Sequence, residues 1–181
     1  MSRDDDADLM TRATRWREAF DQSFASTPQD AALELHDYLA IQAGQGRYAL
    51  RLTEVAGLQA LSRLTPCPTR RAELMGLSIF RGNVLPVYDL RVLLGAAGAG
   101  HEAPAWWVAV KDAHLGLAFD VFERHLRLPV EASSRASAAD VRLYTSETLR
   151  SEGQLRPIVS IHSILLSIQN MVQRDEAQAG G

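Results

Sequence analysis

From residue 38 to residue 95 the apolar residues fall into short runs and alternations that predict strands. Leu39 and Ile41 lead into Ala-Gly-Gln-Gly, and Tyr48, Leu50 and Leu52 then alternate with Arg47, Ala49 and Arg51, which predicts strand, glycine-rich turn, strand, with one wet face. A short TEVAGL segment follows, then SRLTPCPTRR, whose Pro66 and Pro68 lack ladder donors and keep it out of a central strand. Leu74 to Phe80 and Val84 to Tyr88 predict a second hairpin across Arg81-Gly82-Asn83, after which Asp89 can cap a brief helix, LRVLL, that stops at Gly95. Upstream the period changes. Leu9, Ala13, Trp16, Phe20 and Phe24 recur at helical spacings with Arg15, Glu18, Asp21 and Gln22 on the opposite side, so residues 1–34 are expected to be a helical extension, its helix ending at Pro28.

After a small-residue connection, GAAGAGHEAPA at 95–105, the plan repeats. WWVAV, the turn KDA and HLGLAF predict another hairpin, and Asp120 opens VFERHL, read as a helix start, as Thr53 opens EVAGLQ. SEGQLRPIVSIHSILL then echoes the earlier hairpin and helix: Gly82 and Gly153, Pro86 and Pro157, Leu90 and Ile161, Leu93 and Ile164 all lie 71 residues apart. What the copies share is what a turn, a strand and a packed helix require. Arg81 is matched by Glu152 and Asp89 by Ser160; the latter two are both good caps, whereas Arg81 has no structural explanation in the sequence. The main domain is thus expected over 35–173, with a C-terminal helix, and a disordered tail over 174–181.

Composition narrows the function. The 181 residues include 46% hydrophobic and 23% charged, a globular balance, and the net charge of -3 with no basic block argues against nucleic acid. The lone Cys67 makes neither a disulfide nor a metal pair, and MSRDDDADLM has no apolar signal core, so a cytoplasmic, not membrane-inserted, protein is expected. Catalytic patterns are missing too: there is no G-x-S-x-G, no H-E-x-x-H, no C-x-x-C, and the histidines at 36, 101, 114, 125 and 162 are scattered. A convergence of Asp89, Asp120 and Glu123 is the one enzymatic option left, and Asp89 and Asp120 are expected to lie in separate halves of the fold. Trp106 and Trp107 must point to opposite faces of a strand, so one enters the core while the other lies under a loop or is exposed as an anchor for a partner.

The succession RYALRLTEVAGL, LTPCPTRRAELMGLSIFRGNVLPVYDLRVLLG, HLGLAFDVF and GQLRPIVSIHSILL resembles the CheW-like adaptors of bacterial chemosensory arrays over about residues 37–170, and the F-R-G-x-V-L-P-V-x-D-L-R block is its most specific part. The resemblance implies a mainly β fold of two intertwined five-stranded SH3-like β-barrels with short helices. It implies no catalytic activity, no cofactor and no metal. It also implies a scaffold joining the cytoplasmic tip of a chemoreceptor to the regulatory domain of the histidine kinase CheA, in arrays at the inner membrane face.

Carried over by position, the candidate partner-binding residues are Val55, Leu58, Arg81, Gly82, Trp106 and His125. The chain departs from the family pattern at Ile79-Phe80, where Asn-Leu is common, at Gly57, where a charge is frequent, and in its N-terminal helix. Physically, Arg81 can fix register against a partner helix through its forked donors, or pair internally and hold its hairpin against the other barrel. The competing functional class is a freestanding small-barrel regulator that binds a kinase without receptor coupling.

Overall fold

The structure, a computed structural model, describes residues 34–69, 71–96, 103–136 and 143–179. Its strands are β1 (Leu35–Ala43), β2 (Gly46–Arg51), β3 (Val55–Ala60), β4 (Leu74–Phe80), β5 (Asn83–Asp89), β6 (Trp106–Val110), β7 (Gly116–Phe119), β8 (Val121–Pro129), β9 (Ser133–Arg135), β10 (Thr145–Ser151) and β11 (Gln154–Val159). Helix α1 is Leu90–Leu93 and helix α2 is Ile161–Ala179.

The two copies exchange strands. One sheet has the order β8-β1-β2-β11-β10-β9 and the other β3-β6-β7-β5-β4. The first hairpin of each copy, β1-β2 or β6-β7, therefore shares a sheet with the later strands of the opposite copy, and β3 and β8 are the segments that cross over. The sheets have six and five strands rather than five each, because the short β9 adds an edge to β10, and neither ladder closes on itself among the described residues.

The duplication is visible at the level of backbone irregularities. The β4-β5 register shifts between Leu74 and Gly76, the β10-β11 register between Thr145 and Glu147, the same offset as the paired glycines and prolines. Both hairpins turn through two left-handed residues, Arg81 (φ 47°) and Gly82 (φ 81°) in one, Glu152 (φ 51°) and Gly153 (φ 74°) in the other, the signature of a two-residue turn matched to strand twist. Both helices are capped as their sequences predict. Asp89 accepts from the Arg91 amide at 2.9 Å, and the Ser160 hydroxyl from the Ser163 amide at 3.3 Å.

Three expectations change. VFERHL forms part of β8, not a helix: it pairs with β1 from Tyr38 to Gln42. The β1-β2 hairpin has no wet face, because Leu39, Ile41, Tyr48 and Leu50 enter a central cluster while Tyr38, Ala40 and Ala49 enter a second one on the other face. Helix α2 continues to Ala179, beyond the point where a tail is expected to begin. The helix read over residues 1–30 lies outside the described residues.

The central cluster joins residues from both sheets to Leu90, Leu93, Ile161, Ile164 and Ile168 of the two helices. Each sheet also holds a smaller cluster of its own: Tyr38, Leu126, Leu149 and Ile158 in the six-stranded one, Leu85, Val87, Trp107 and Ala118 in the five-stranded one. The tryptophans divide between these. Trp107 is 1% exposed in the small cluster, and Trp106 is half-buried against the central one with its ring 6.0 Å from that of Phe122.

Candidate functional site

Arg81 and Gly82 form the exposed tip of the β4-β5 hairpin. A left-handed backbone favours glycine and disfavours arginine by about 1 kcal/mol, so the turn geometry does not explain the choice of Arg81. Gly82 has nothing within 4 Å of the place a Cβ would occupy, so its φ alone accounts for it. The Arg81 guanidinium lies 5.0 Å from the centre of the Phe80 ring, and it makes no ion pair among the described residues. The alternative in which Arg81 pairs internally thus has no carboxylate to support it; the contact it does have is a stack that leaves its donors outward.

Val55, Leu58 and Trp106 come together on adjacent strands of the same sheet, with Val55 opposite Val110, Leu58 opposite Val108 and Trp106 opposite Ala60. All three are half-buried against the central cluster, so they present edges rather than whole side chains. His125 is placed elsewhere. It lies on β8 in the other sheet, opposite Leu39, with its Nε2 2.8 Å from the Asp37 carboxylate.

Sequence reasoning passes over the neighbour of Val55. Glu54 closes the short 3-10 turn that carries the chain from one sheet to the other, and it lines a pocket of ≈ 220 Å³ with Thr53, Val110, Lys111, Asp112, Ile161, His162 and Leu165. Its Oε2 is shut away from solvent and accepts no hydrogen bond among the described residues. Burial pushes its pKa above the ordinary carboxylate value, opposed by Arg51. A comparison of the copies carries the signal that finds it: counted from the bulges of β3 and β8, the position of Glu54 is held in the other copy by Val121, and a valine needs no counter-charge.

Two of the three carboxylates considered for catalysis, Asp89 and Asp120, do converge, contrary to expectation, but on a cation. Arg91 binds Asp89 at 2.6 Å and Asp120 at 3.1 Å, and Asp120 also accepts from the Gly44 amide at 2.6 Å. Among the described residues no histidine pairs with them: His125 binds Asp37, and His162 lines the pocket at Glu54. Glu123 is spent on Arg156, 2.7 Å away. Among the described residues no cluster of histidine, cysteine or carboxylate fits a metal ion, and no helix is long and apolar enough to cross a membrane.

The family model of the CheW-like domain matches residues 37–169. The chain belongs to the CheW-like family. Among solved structures, the crystal structure of scaffolding protein TtCheW from Thermoanaerobacter tengcongensis superposes with a TM-score of 0.61 at 15% identity, covering 68% of this chain and 88% of that one, a likeness of fold. No curated protein matches the chain.

Two departures from the usual CheW-like pattern turn out to be one packing event. β3 and β4 are the opposite edges of their sheet, yet the Phe80 ring lies only 2.6 Å from where a Cβ on Gly57 would stand, and it meets the Trp107 ring edge-on at 6.1 Å. Glycine at 57 makes room for phenylalanine at 80, and phenylalanine at 80 supports Arg81. Gly57→Ala is therefore expected to displace the Phe80 ring and lower stability by about 1 kcal/mol, with Phe80→Leu restoring it in the double variant. Urea midpoints of the four proteins check this, and additive effects would show that the two positions do not share one space.

Proposed function

We propose that this protein is a non-catalytic scaffold that couples the cytoplasmic tip of a chemoreceptor to the regulatory domain of the histidine kinase CheA, in arrays at the inner face of the membrane. The family match over residues 37–169 carries this reading. The chemistry of the surface supports it: an outward arginine stacked on an aromatic ring, and half-buried aliphatic edges on β3, suit reversible recognition of a helix better than turnover of a substrate. Each sheet with its own small cluster corresponds to one SH3-like barrel, and residues 1–34 are an extension that adds a contact.

Co-sedimentation with receptor-containing membranes and CheA, and stimulation of the kinase in that mixture, are the expected results. Binding to the kinase with no receptor engagement under any receptor tried would instead favour the freestanding regulator. Arg81→Ala is expected to weaken receptor coupling about tenfold while leaving the unfolding midpoint unchanged or slightly raised, since it relieves nothing buried. A wild-type response from folded Arg81→Ala would remove Arg81 from the interface.

A further inference from the structure

The pocket at Glu54 combines three features that no internal role accounts for. It is a recess of ≈ 220 Å³ at the start of β3, walled by the β6-β7 turn (Lys111, Asp112) and by the first turns of α2 (Ile161, His162, Leu165). Into it the crossing segment brings a carboxylate with one oxygen occluded and without a donor. The cation that bears most strongly on that carboxylate, Arg51, is committed to an ion pair with Glu147. A carboxylate oxygen occluded without a donor is an unfavourable arrangement in the free protein. Lys111 lines the recess but makes no ion pair with Glu54 among the described residues. The second copy avoids the situation by placing Val121 at the corresponding crossing.

We infer that this pocket accepts a basic side chain, a lysine or arginine presented by a protein partner, with Glu54 as the counter-charge that selects it. The volume fits one such side chain rather than a segment of backbone. Glu54 lies beside Val55 and on the crossing between the sheets, so a cation docked there sets the register of whatever lies along the β3 and β6 edges. The identity of the partner rests on the adaptor reading; the cation preference of the pocket does not.

The stability of the free protein gives the sign of the expected trade. The folded pKa of Glu54 is raised, so the group favours folding while it is protonated, below its unfolded pKa, and that contribution is lost as pH rises through the folded value. The groups that face it are Arg51, Glu147, His162, Lys111 and Asp112. At neutral pH Glu54→Gln is therefore expected to leave the unfolding midpoint unchanged or higher, because a penalised charge has been removed, while it lowers the affinity for a cation. A residue with a merely structural role would not gain stability and lose binding together.

Two titrations of the full chain test the inference. In the first, ethylguanidinium and butylammonium are added while the Glu54 carboxyl carbon resonance is followed: saturable shifts in the millimolar range are expected, with tetramethylammonium, which has no N–H, giving weaker ones. No saturable shift with either probe overturns the proposal. In the second, the receptor tip and the CheA regulatory domain are titrated separately onto wild type and Glu54→Gln. A loss of about tenfold or more toward one partner, with the other unaffected, is expected. Unchanged affinity toward both in a variant of unchanged stability overturns the pocket's role in binding them. Failure of wild type to bind either partner would refute the adaptor reading, and the small-cation titration would still decide the pocket.

Discussion

Glu123→Ala is expected to destabilise the protein by about 3–5 kcal/mol, the range for leaving a buried charge without its partner. The charge left behind is that of Arg156, 2% exposed on β11. Glu123 receives Arg156 Nη2 at 2.7 Å, and Gln154 Oε1 shares that same nitrogen at 3.1 Å; Nε and Nη1 have no partner among the described residues. With Glu123 gone, a neutral amide is the one acceptor that remains. The arrangement is peculiar to one copy of the repeat. Glu123 is the extra residue of a bulge in β8, between Phe122 paired with Ile41 and Arg124 paired with Ala40. The bulge in β3 puts Ala56 in the matching place, and the strand position matching Arg156 holds Leu85; both pack in the small cluster of the five-stranded sheet. One sheet thus keeps an apolar pair where the other keeps an ion pair. Arg156→Leu with Glu123→Ala should accordingly recover to within about 1 kcal/mol of wild type or exceed it, since well-packed apolar residues commonly replace a buried ion pair without loss. Urea midpoints at unchanged slope measure all three. If Glu123→Ala alone is neutral, the pair contributes nothing and the sheet tolerates a free guanidinium, contrary to the argument.

That asymmetry also marks how far the sequence can be read. The hairpins and the caps at Asp89 and Ser160 were legible because each is decided by residues a few positions apart; the turn read across Arg81-Gly82-Asn83 is one residue shorter, since Asn83 already pairs with Phe80. The exchange of β3 and β8 between sheets was not legible in the residue pattern, since it is a choice among distant pairings that the same alternation allows; only the family resemblance implied intertwined halves. The buried second face of β1-β2 follows from that exchange: Ala49 alternates with Tyr48 and Leu50 as a wet-face residue would, yet it is fully buried because Ile158 of β11 lies alongside. The family pattern pointed to Val55, Leu58 and Trp106, which the fold gathers on neighbouring strands, and to His125, which it sets in the other sheet. Glu54 was missed because its burial depends on α2, more than a hundred residues away in sequence. The Phe80-Gly57 contact was visible as two oddities, and needed the meeting of two sheet edges to become one.

Arg91→Ala should be as damaging as Glu123→Ala, again about 3–5 kcal/mol, for the converse reason: it strands two carboxylates instead of one cation. Asp89 and Asp120 have side-chain exposures of 8% and 20%, and the Arg91 guanidinium lies between them, 2.6 Å from one and 3.1 Å from the other. Asp89 ends β5 and caps α1. Asp120 sits where the chain leaves β7 for β8, and its carboxylate holds the Gly44 amide of the β1-β2 turn, while its own amide donates to Gln42 at 3.0 Å. Arg91 is accordingly the bond between the end of the five-stranded sheet and the crossing into the six-stranded one. A lysine has one ammonium in place of a fork and can serve one aspartate fully, so Arg91→Lys should recover only part of the loss. Asp120→Asn in the Arg91→Ala background removes one of the two stranded charges and should recover some stability, a gain that a simple packing defect would not show. Because the link bridges the crossing, the damage should be seen locally as well as globally: the Gly44 and Asp120 amides should exchange with solvent faster relative to core amides of β6 and β7 than in wild type. Uniform acceleration across both sheets would mean that Arg91 stabilises the fold as a whole and does not join its halves, and an unchanged melting temperature in Arg91→Ala would mean that water serves the two carboxylates as well as the arginine does.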